Sequence, residues 1–243
     1  MTAELLTPAE LKQTLLAVGH EQYHHKHPFH LRMHDGQLTR EQLQAWALNR
    51  YYYQSRIPIK DAIILSRSTD AAFRRAWLKR ILDHDGSSEH PGGIEKWLRL
   101  AEATGLDRSD VISERKVLPA VRYAVDAYVG LVSRGTLLEA VASSLTELFS
   151  RDLISLRIHA LRQHYPWIDS GLSYFTSRLS QAPEDASFAL DYVTRNAFTR
   201  EQQESVIMAL RHKCDILWAQ LDAIYFAYVT PGWPPPAESK GCL

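Results

Sequence analysis

The sequence predicts an all-α fold, most simply a compact helical bundle in a single domain. Three observations carry this expectation. Helix starts are written several times in the Thr-x-x-Glu/Gln form, apolar residues recur at steps of three and four, and no segment alternates with period two and β-branched enrichment. With 243 residues, 45% of them hydrophobic and 23% charged, the chain is long enough for one large core and has an ordinary globular composition.

Taken in order, Thr7-Pro8-Ala9-Glu10 is a capping box with proline at the first helical position, opening a helix over roughly 8–19. Thr39 and Gln42 open a second over 40–66, which Pro58 should kink because it removes a backbone donor and crowds the preceding turn. Asp70, Asp107 and Ser170 are candidate caps for helices that follow, and Gly86, Gly105 and Gly135 are candidate stops. Further main helices are expected over 71–85, 92–104, 119–134 and 136–163, the last with a break, and over 199–229. That makes seven, with shorter helices near 107–115, 171–180 and 184–196. In the final helix Ile207, Leu210, Cys214, Leu217, Leu221, Ile224 and Tyr228 form one apolar stripe. The domain is expected over 1–230, and the Pro-rich stretch 231–243 as an extended or disordered tail.

Charge excludes some partners. Lys plus Arg equals Asp plus Glu, 28 against 28, so nothing in the balance argues for nucleic acid or an anionic membrane surface. Two cysteines, Cys214 and Cys242, make neither a metal spacing nor a disulfide framework, which suits a reducing cytoplasm. The N-terminus lacks the basic and apolar regions of a signal peptide, and no apolar run is long enough to span a membrane.

Several polar groups recur beside apolar faces. Six of the eleven histidines lie between His20 and His34. Glu21-x-x-His24 matches half of a ferritin-like metal pair, but no second Glu-x-x-His faces it and Pro28 interrupts the segment, so no metal site is expected; one or two of these histidines lining a pocket is the better reading. Arg50 and Gln54, Arg80 and His84, and Tyr174 and Arg178 are same-face pairs at four residues. His84 is flanked by Asp83 and Asp85 before Gly86, the arrangement of a histidine at a helix end that can accept a proton near neutral pH. Glu147 among small and apolar residues must face solvent or find a cationic partner inside, and Lys213 borders the stripe of the last helix. Each group alone reads as structural. Together, His24, Arg50, Lys60, Arg80, His84, Arg157, Tyr174, Arg178 and Lys213 could line a cavity between helices suited to a small, planar polyanion, because guanidinium groups clasp carboxylates in pairs.

The residues themselves resemble a known family. Tyr23-His24 with His27-Pro28-Phe29-His30, Trp46-Ala47-Leu48-Asn49-Arg50-Tyr51-Tyr52-Tyr53-Gln54, Ile57-Pro58-Ile59-Lys60-Asp61-Ala62, Arg80 through Gly86, Gly92 through Leu98, Ser143 through Phe149 and Lys213 through Ala223 follow in order the pattern of the pyrroloquinoline-quinone (PQQ) synthase family. The resemblance runs from about residue 8 to 232. It implies a seven-helix, haem-oxygenase-like bundle working as a cytoplasmic homodimer. It also implies the last step of PQQ formation: ring closure and multi-electron oxidation of a tricarboxylated quinone precursor by O2, with release of H2O2. No metal or redox cofactor is implied, and the partners are the small polyanionic substrate and the PQQ product. By the same resemblance His84 is the base for carbon-bound protons, and Tyr174 and Arg178 belong to an oxygen pocket. Tyr23, His24, Arg50, Gln54, Lys60, Arg80, Tyr128, Thr146, Glu147, Arg157 and Lys213 bind the substrate.

One position departs from the pattern: Ile154 stands where many members of the family carry an oxygen-pocket histidine. Three readings follow. The branch manages with Tyr174, Arg178 and water; or its later oxidations are slower; or its substrate differs; the first is favoured, since the other matched positions carry compatible residues. A fused carboxy-terminal carrier domain, present in some relatives, is not expected. Competing functions are a TenA-type hydrolase using a cysteine such as Cys214, a dimetal oxidase with an Asp/Glu and His cluster near 174–181, and a PQQ carrier without turnover.

Overall fold

The computed structural model describes residues 4–230, so the expected tail and Cys242 lie outside the described residues. Among these residues there are eleven α-helices and no strand. They are α1 (Pro8–Gln22), α2 (Pro28–His34), α3 (Arg40–Ser66), α4 (Ala71–Asp85), α5 (Gly93–Thr104), α6 (Arg108–Ser113), α7 (Pro119–Arg134), α8 (Leu137–Ala142), α9 (Ser150–His164), α10 (Ser173–Asn196) and α11 (Arg200–Tyr228), with 3-10 turns at His24–Lys26, Leu145–Phe149 and Pro166–Gly171. None of the helices among the described residues is long and apolar enough to cross a membrane.

The caps form as their chemistry dictates. Thr7, Thr39 and Thr199 each close a capping box, as does Thr136 with Glu139 at the start of α8. Asp70 accepts from Ala72 N and Asp107 from Ser109 N. Ser170 does not cap: it falls in the 3-10 turn, and α10 starts after Leu172. Gly86 and Gly105 end α4 and α5 at positive φ, 82° and 98°, where a side chain would be strained.

Two boundaries depart from the expected seven helices, and the expected break in 136–163 is found. Pro28 starts α2 at its first position instead of merely breaking the segment, because a missing N–H costs nothing there. The stretch 136–163 divides into α8, a 3-10 turn and α9; the hydroxyl of Ser143 bonds back to Ala140 O at 2.7 Å, offering the backbone a local alternative to the helix. Conversely, α10 runs through Pro183 as one helix where two were expected, whereas α3 continues through Pro58 over its expected span. Both helices are held by packing that outweighs one lost backbone bond.

The long helices α3 and α11 organise the bundle. α3 packs against α4, α5 and α7, and α11 against α1, α7 and α8. The predicted stripe on α11 is buried at Leu210, Cys214, Leu217, Leu221 and Ile224. Facing helices leave a polar cavity in the core.

Candidate active site

The cavity has a volume of about 110 Å³, counted as the space open to the centre of a water molecule. Its wall is drawn from eight helices and two 3-10 turns, with Trp46, Trp97 and Phe175 forming an aromatic side. Two faces of polar residues complete it.

His84 comes from the last turn of α4 and is buried. Its Nδ1 lies 2.9 Å from the carbonyl of Arg80 one turn earlier, and a carbonyl can only accept, so Nδ1 carries the proton and Nε2 keeps its lone pair. Burial, and then the charge of Arg178, push the imidazole down to about 4, so His84 is a neutral base at pH 7. The chain holds this turn closely: a Cβ on Gly92 would fall 2.3 Å from His84 O and 2.4 Å from Gly86 N.

Beside it is a network of buried charges. Glu147 bridges Arg80 Nη2 at 2.5 Å and Arg178 Nη2 at 3.1 Å. Asp185 lies 3.4 Å from Arg178 and 3.7 Å from Arg80. Asp61 takes Lys60 at 2.6 Å, the Trp77 indole N–H at 3.0 Å and Arg80 Nε at 3.6 Å. Burial would raise the Glu147 carboxyl, but Arg80, Arg178 and Lys60 outweigh it and hold the carboxyl below its ordinary range. Asp185 goes the other way, pushed up to about 6 by burial and by Glu147. Three cations thus face three carboxylates, so Lys60, Arg80 and Arg178 are already committed inside the protein.

Arg50 and Arg157 are different. Both line the cavity, and neither meets a carboxylate among the described residues. Arg157, on α9, is buried with its Nε and Nη2 donors unpartnered, and burial, reinforced more weakly by Arg50, pushes it down to about 10, so it remains charged at pH 7. Arg50 sits 3.9 Å over the Tyr53 ring. Buried polar donors are nearly always satisfied, so an unpaired guanidinium facing a cavity marks a place for an anion.

The histidine-rich segment separates by role. His27 is structural: its Nδ1 accepts from Phe29 N and its Nε2 donates to Asp222, fixing the start of α2 against α11. His24 and His30 line the cavity with their Nδ1 atoms 3.0 Å apart, and burial plus the charges of the neighbouring arginines keep both neutral. Tyr23, also on the wall, is pushed up to about 12 by burial. Tyr174 donates to Gln54 Oε1 at 3.1 Å and stands edge-on to Trp97.

Of the fourteen residues singled out by sequence, Tyr23, His24, Arg50, Gln54, His84, Thr146, Glu147, Arg157, Tyr174 and Arg178 stand on the cavity wall. Ile154 is there too, one turn before Arg157. Lys60, Arg80, Tyr128 and Lys213 are buried behind the wall: Lys60 donates to Ser144 at 3.0 Å, and Lys213 reaches Tyr53 OH at 2.8 Å with its amine 3.2 Å from the centre of the Tyr128 ring. His24 and His30 are the two of the histidine-rich segment that line the cavity, as one or two were expected to, while Tyr53, Asp61 and Asp185 were not singled out. The adjacency of Lys60 and Asp61 was a readable signal for Asp61, while nothing in the sequence points to Asp185. Cys214 is fully buried, its thiol pushed up to about 12 by burial, and it is absent from the cavity wall. No group of three His, Cys, Asp or Glu side chains placed to hold a metal occurs among the described residues.

The TENA/THI-4/PQQC family model matches residues 16–223. A pyrroloquinoline-quinone synthase of Acidiphilium cryptum is 56% identical over 96% of this chain and 95% of its own length. One of Rhizobium meliloti is 57% identical over 93% and 89%. The bifunctional coenzyme PQQ synthesis protein C/D of Methylorubrum extorquens is 54% identical over 96% of this chain but 63% of its own length. Among solved structures, a haem-oxygenase-like domain from Shewanella denitrificans superposes with a TM-score of 0.76 at 16% identity, covering 93% of this chain and 94% of that one. A TenA homologue from Pseudomonas syringae gives 0.73 at 12%, covering 93% and 98%. The bundle is therefore of the haem-oxygenase-like type, and the chain belongs to the TENA/THI-4/PQQC family, in its pyrroloquinoline-quinone synthase branch.

Proposed function

We propose that this chain is the oxidase of the last step in PQQ formation, closing the second ring of a tricarboxylated quinone precursor and oxidising it with O2 to give PQQ and H2O2. The observation that carries this is a pair of guanidiniums with no carboxylate partner among the described residues, Arg50 and Arg157, the latter with unmet donors, in a cavity that also holds a neutral histidine. The names of the 54–57% identical relatives support the same reading.

Arg50 and Arg157 take the precursor's carboxylates, with Gln54 and Thr146 as neutral partners and the aromatic side against the ring plane. Approaching carboxylates oppose the depression of His84 and bring Nε2 closer to a useful base strength, so that it takes a proton from a ring carbon. The electrons released stay in the quinone system until O2 accepts them; each two-electron step adds two protons to O2 and yields H2O2. Tyr174 and Arg178 both line the cavity, and in this reading they supply the hydroxyl and the cation that stabilise the charge building on oxygen, Arg178 doing so while it keeps Glu147 as counter-ion. The quinone itself supplies the electron chemistry, so the reaction runs without metal or redox cofactor, and the cationic lining disfavours a metal ion. Ile154 leaves the oxygen side without a second histidine, and Tyr174, Arg178 and water carry that work. We propose further that the protein is a cytoplasmic homodimer.

Aerobic incubation with the precursor tests the reading: PQQ absorbance and peroxide should rise together. Tight PQQ binding without turnover would make the chain a carrier, and stoichiometric iron by elemental analysis would make it a metal oxidase. A Cys214→Ser variant with wild-type turnover is expected, since that thiol is buried away from the cavity.

A further inference from the structure

Lys213 is the buried cation that the proposed reaction leaves without a task. Its side chain is fully enclosed, it meets no carboxylate among the described residues, and its single hydrogen bond is to Tyr53 OH at 2.8 Å. The amine does not reach the cavity; Tyr53 does, and stands between the two. Tyr128 stacks on Tyr53 and lies under the amine, closing off water.

We propose that Tyr53 and Lys213 form a proton relay in the cavity wall, through which a bound ligand gives up a phenolic or ring N–H proton that later passes to reduced oxygen. The inference rests on the proposed oxidase reading of the same site. The geometry fixes the path. The ligand's X–H bond breaks as an O–H bond forms at Tyr53 Oη; the original Tyr53 O–H breaks as an N–H bond forms at Lys213 Nζ. The ligand anion and the ammonium are the products, and the reverse path delivers the proton to reduced oxygen.

The surroundings favour an amine that starts neutral. Burial first, then Arg50 and Lys60 on α3, push Lys213 well below its ordinary range, and Glu147 in the Leu145–Phe149 turn opposes them. His24 faces it from the His24–Lys26 turn and Tyr128 from α7. Cys214 on the same helix is a neutral thiol. Burial likewise keeps the Tyr53 phenol protonated. Lys213 Nζ donates to Tyr53 Oη in the free protein; a neutral amine also keeps a lone pair, so the same 2.8 Å contact can carry the hydroxyl proton to it, as a base relay needs. A lysine serving as a fixed positive charge for substrate would instead require the charged form.

Three variants separate these roles. Tyr53→Phe removes one oxygen and keeps the ring stack; it should lower kcat about a hundredfold, the ordinary scale of one acid–base group, while PQQ affinity stays within about twofold. Lys213→Met should match it, and in both the acid limb of log kcat against pH should lose one unit of slope. Lys213→Arg, which keeps charge but cannot give up a proton, should not restore activity. Restoration by arginine, or wild-type kcat in Tyr53→Phe, would overturn the relay, as would a loss confined to PQQ binding. For the unaltered protein, kcat in mixed H2O and D2O should depend on deuterium fraction along a curve, since two protons move; a straight line would also overturn it. Failure of the unaltered protein to form PQQ would fall on the oxidase reading instead.

Discussion

At the scale of the residue, Arg157 and His84 carry opposite kinds of cost. Arg157 is a buried charge with unmet donors, which destabilises the free protein and is compensated only when an anion arrives. Arg157→Met should therefore weaken PQQ binding by about tenfold to a hundredfold, the worth of a hydrogen bond to a charged group, while leaving the melting temperature unchanged or higher. Titration of binding beside a thermal melt reads both; a melting temperature several degrees lower would show that Arg157 holds the fold together. His84→Asn keeps a donor for Arg80 O but loses the basic Nε2. It should fold normally and stall before full oxidation, and wild-type-like turnover would remove His84 as the base. The sequence showed which face each residue takes, through spacings such as Arg80 to His84. It did not show depth: Lys213 and Arg157 look alike as cations beside apolar stripes, yet one sits behind Tyr53 and the other opens into the cavity.

At the scale of the element, the turn from His84 to Gly93 is held by contact between backbones. Gly92 approaches His84 O and Gly86 N too closely for any side chain, so Gly92→Ala must push the end of α4 away from α5. A loss of about 1–3 kcal/mol, typical of overpacking, is expected with a kcat reduced by misplacement of Nε2. Normal stability together with normal turnover would show that the turn yields freely. Helix starts were legible because caps are local chemistry: Thr7, Thr39 and Thr199 need only residues three positions away. Continuity through Pro183 was not, since it depends on Arg178, on one side of the proline, and Asp185, on the other, sharing a charge network with Arg80 and Glu147 from distant segments.

At the scale of the whole molecule, the bundle keeps an unusual number of histidines neutral. His24 and His30 lie well below their ordinary value, and His34 and His84 are pushed to about 4, in each case first by burial. The unfolded chain binds protons at these positions near pH 6.5, before the folded protein does, so their contribution is fully present above pH 6.5 and is lost as pH falls toward 4. Asp185 acts in the opposite sense: it stays protonated in the fold up to about pH 6, so between 6 and 3.8 falling pH favours the folded state through this group. His25 and His27 are lowered too, and Asp83 and Asp85 are raised like Asp185; six histidines outweigh three carboxyls, and the melting temperature should decline from pH 6.5 to 4. A flat profile would contradict the burial of these rings. The all-helical class was legible because periodicity is a property of the chain alone. The pairing of charges in the core was not, because Asp61, Glu147 and Asp185 meet their arginines only once the helices have packed.

The central claim is that this cavity, with its free guanidiniums and neutral histidine, oxidises a polyanionic quinone precursor unaided. Oxygen uptake by chelator-treated, metal-free protein mixed with the precursor tests it most directly. O2 consumption matched by H2O2 and PQQ is expected, at a rate unchanged by the chelator. Binding of the precursor with no oxygen uptake, or uptake that returns only on adding a metal ion, would contradict it.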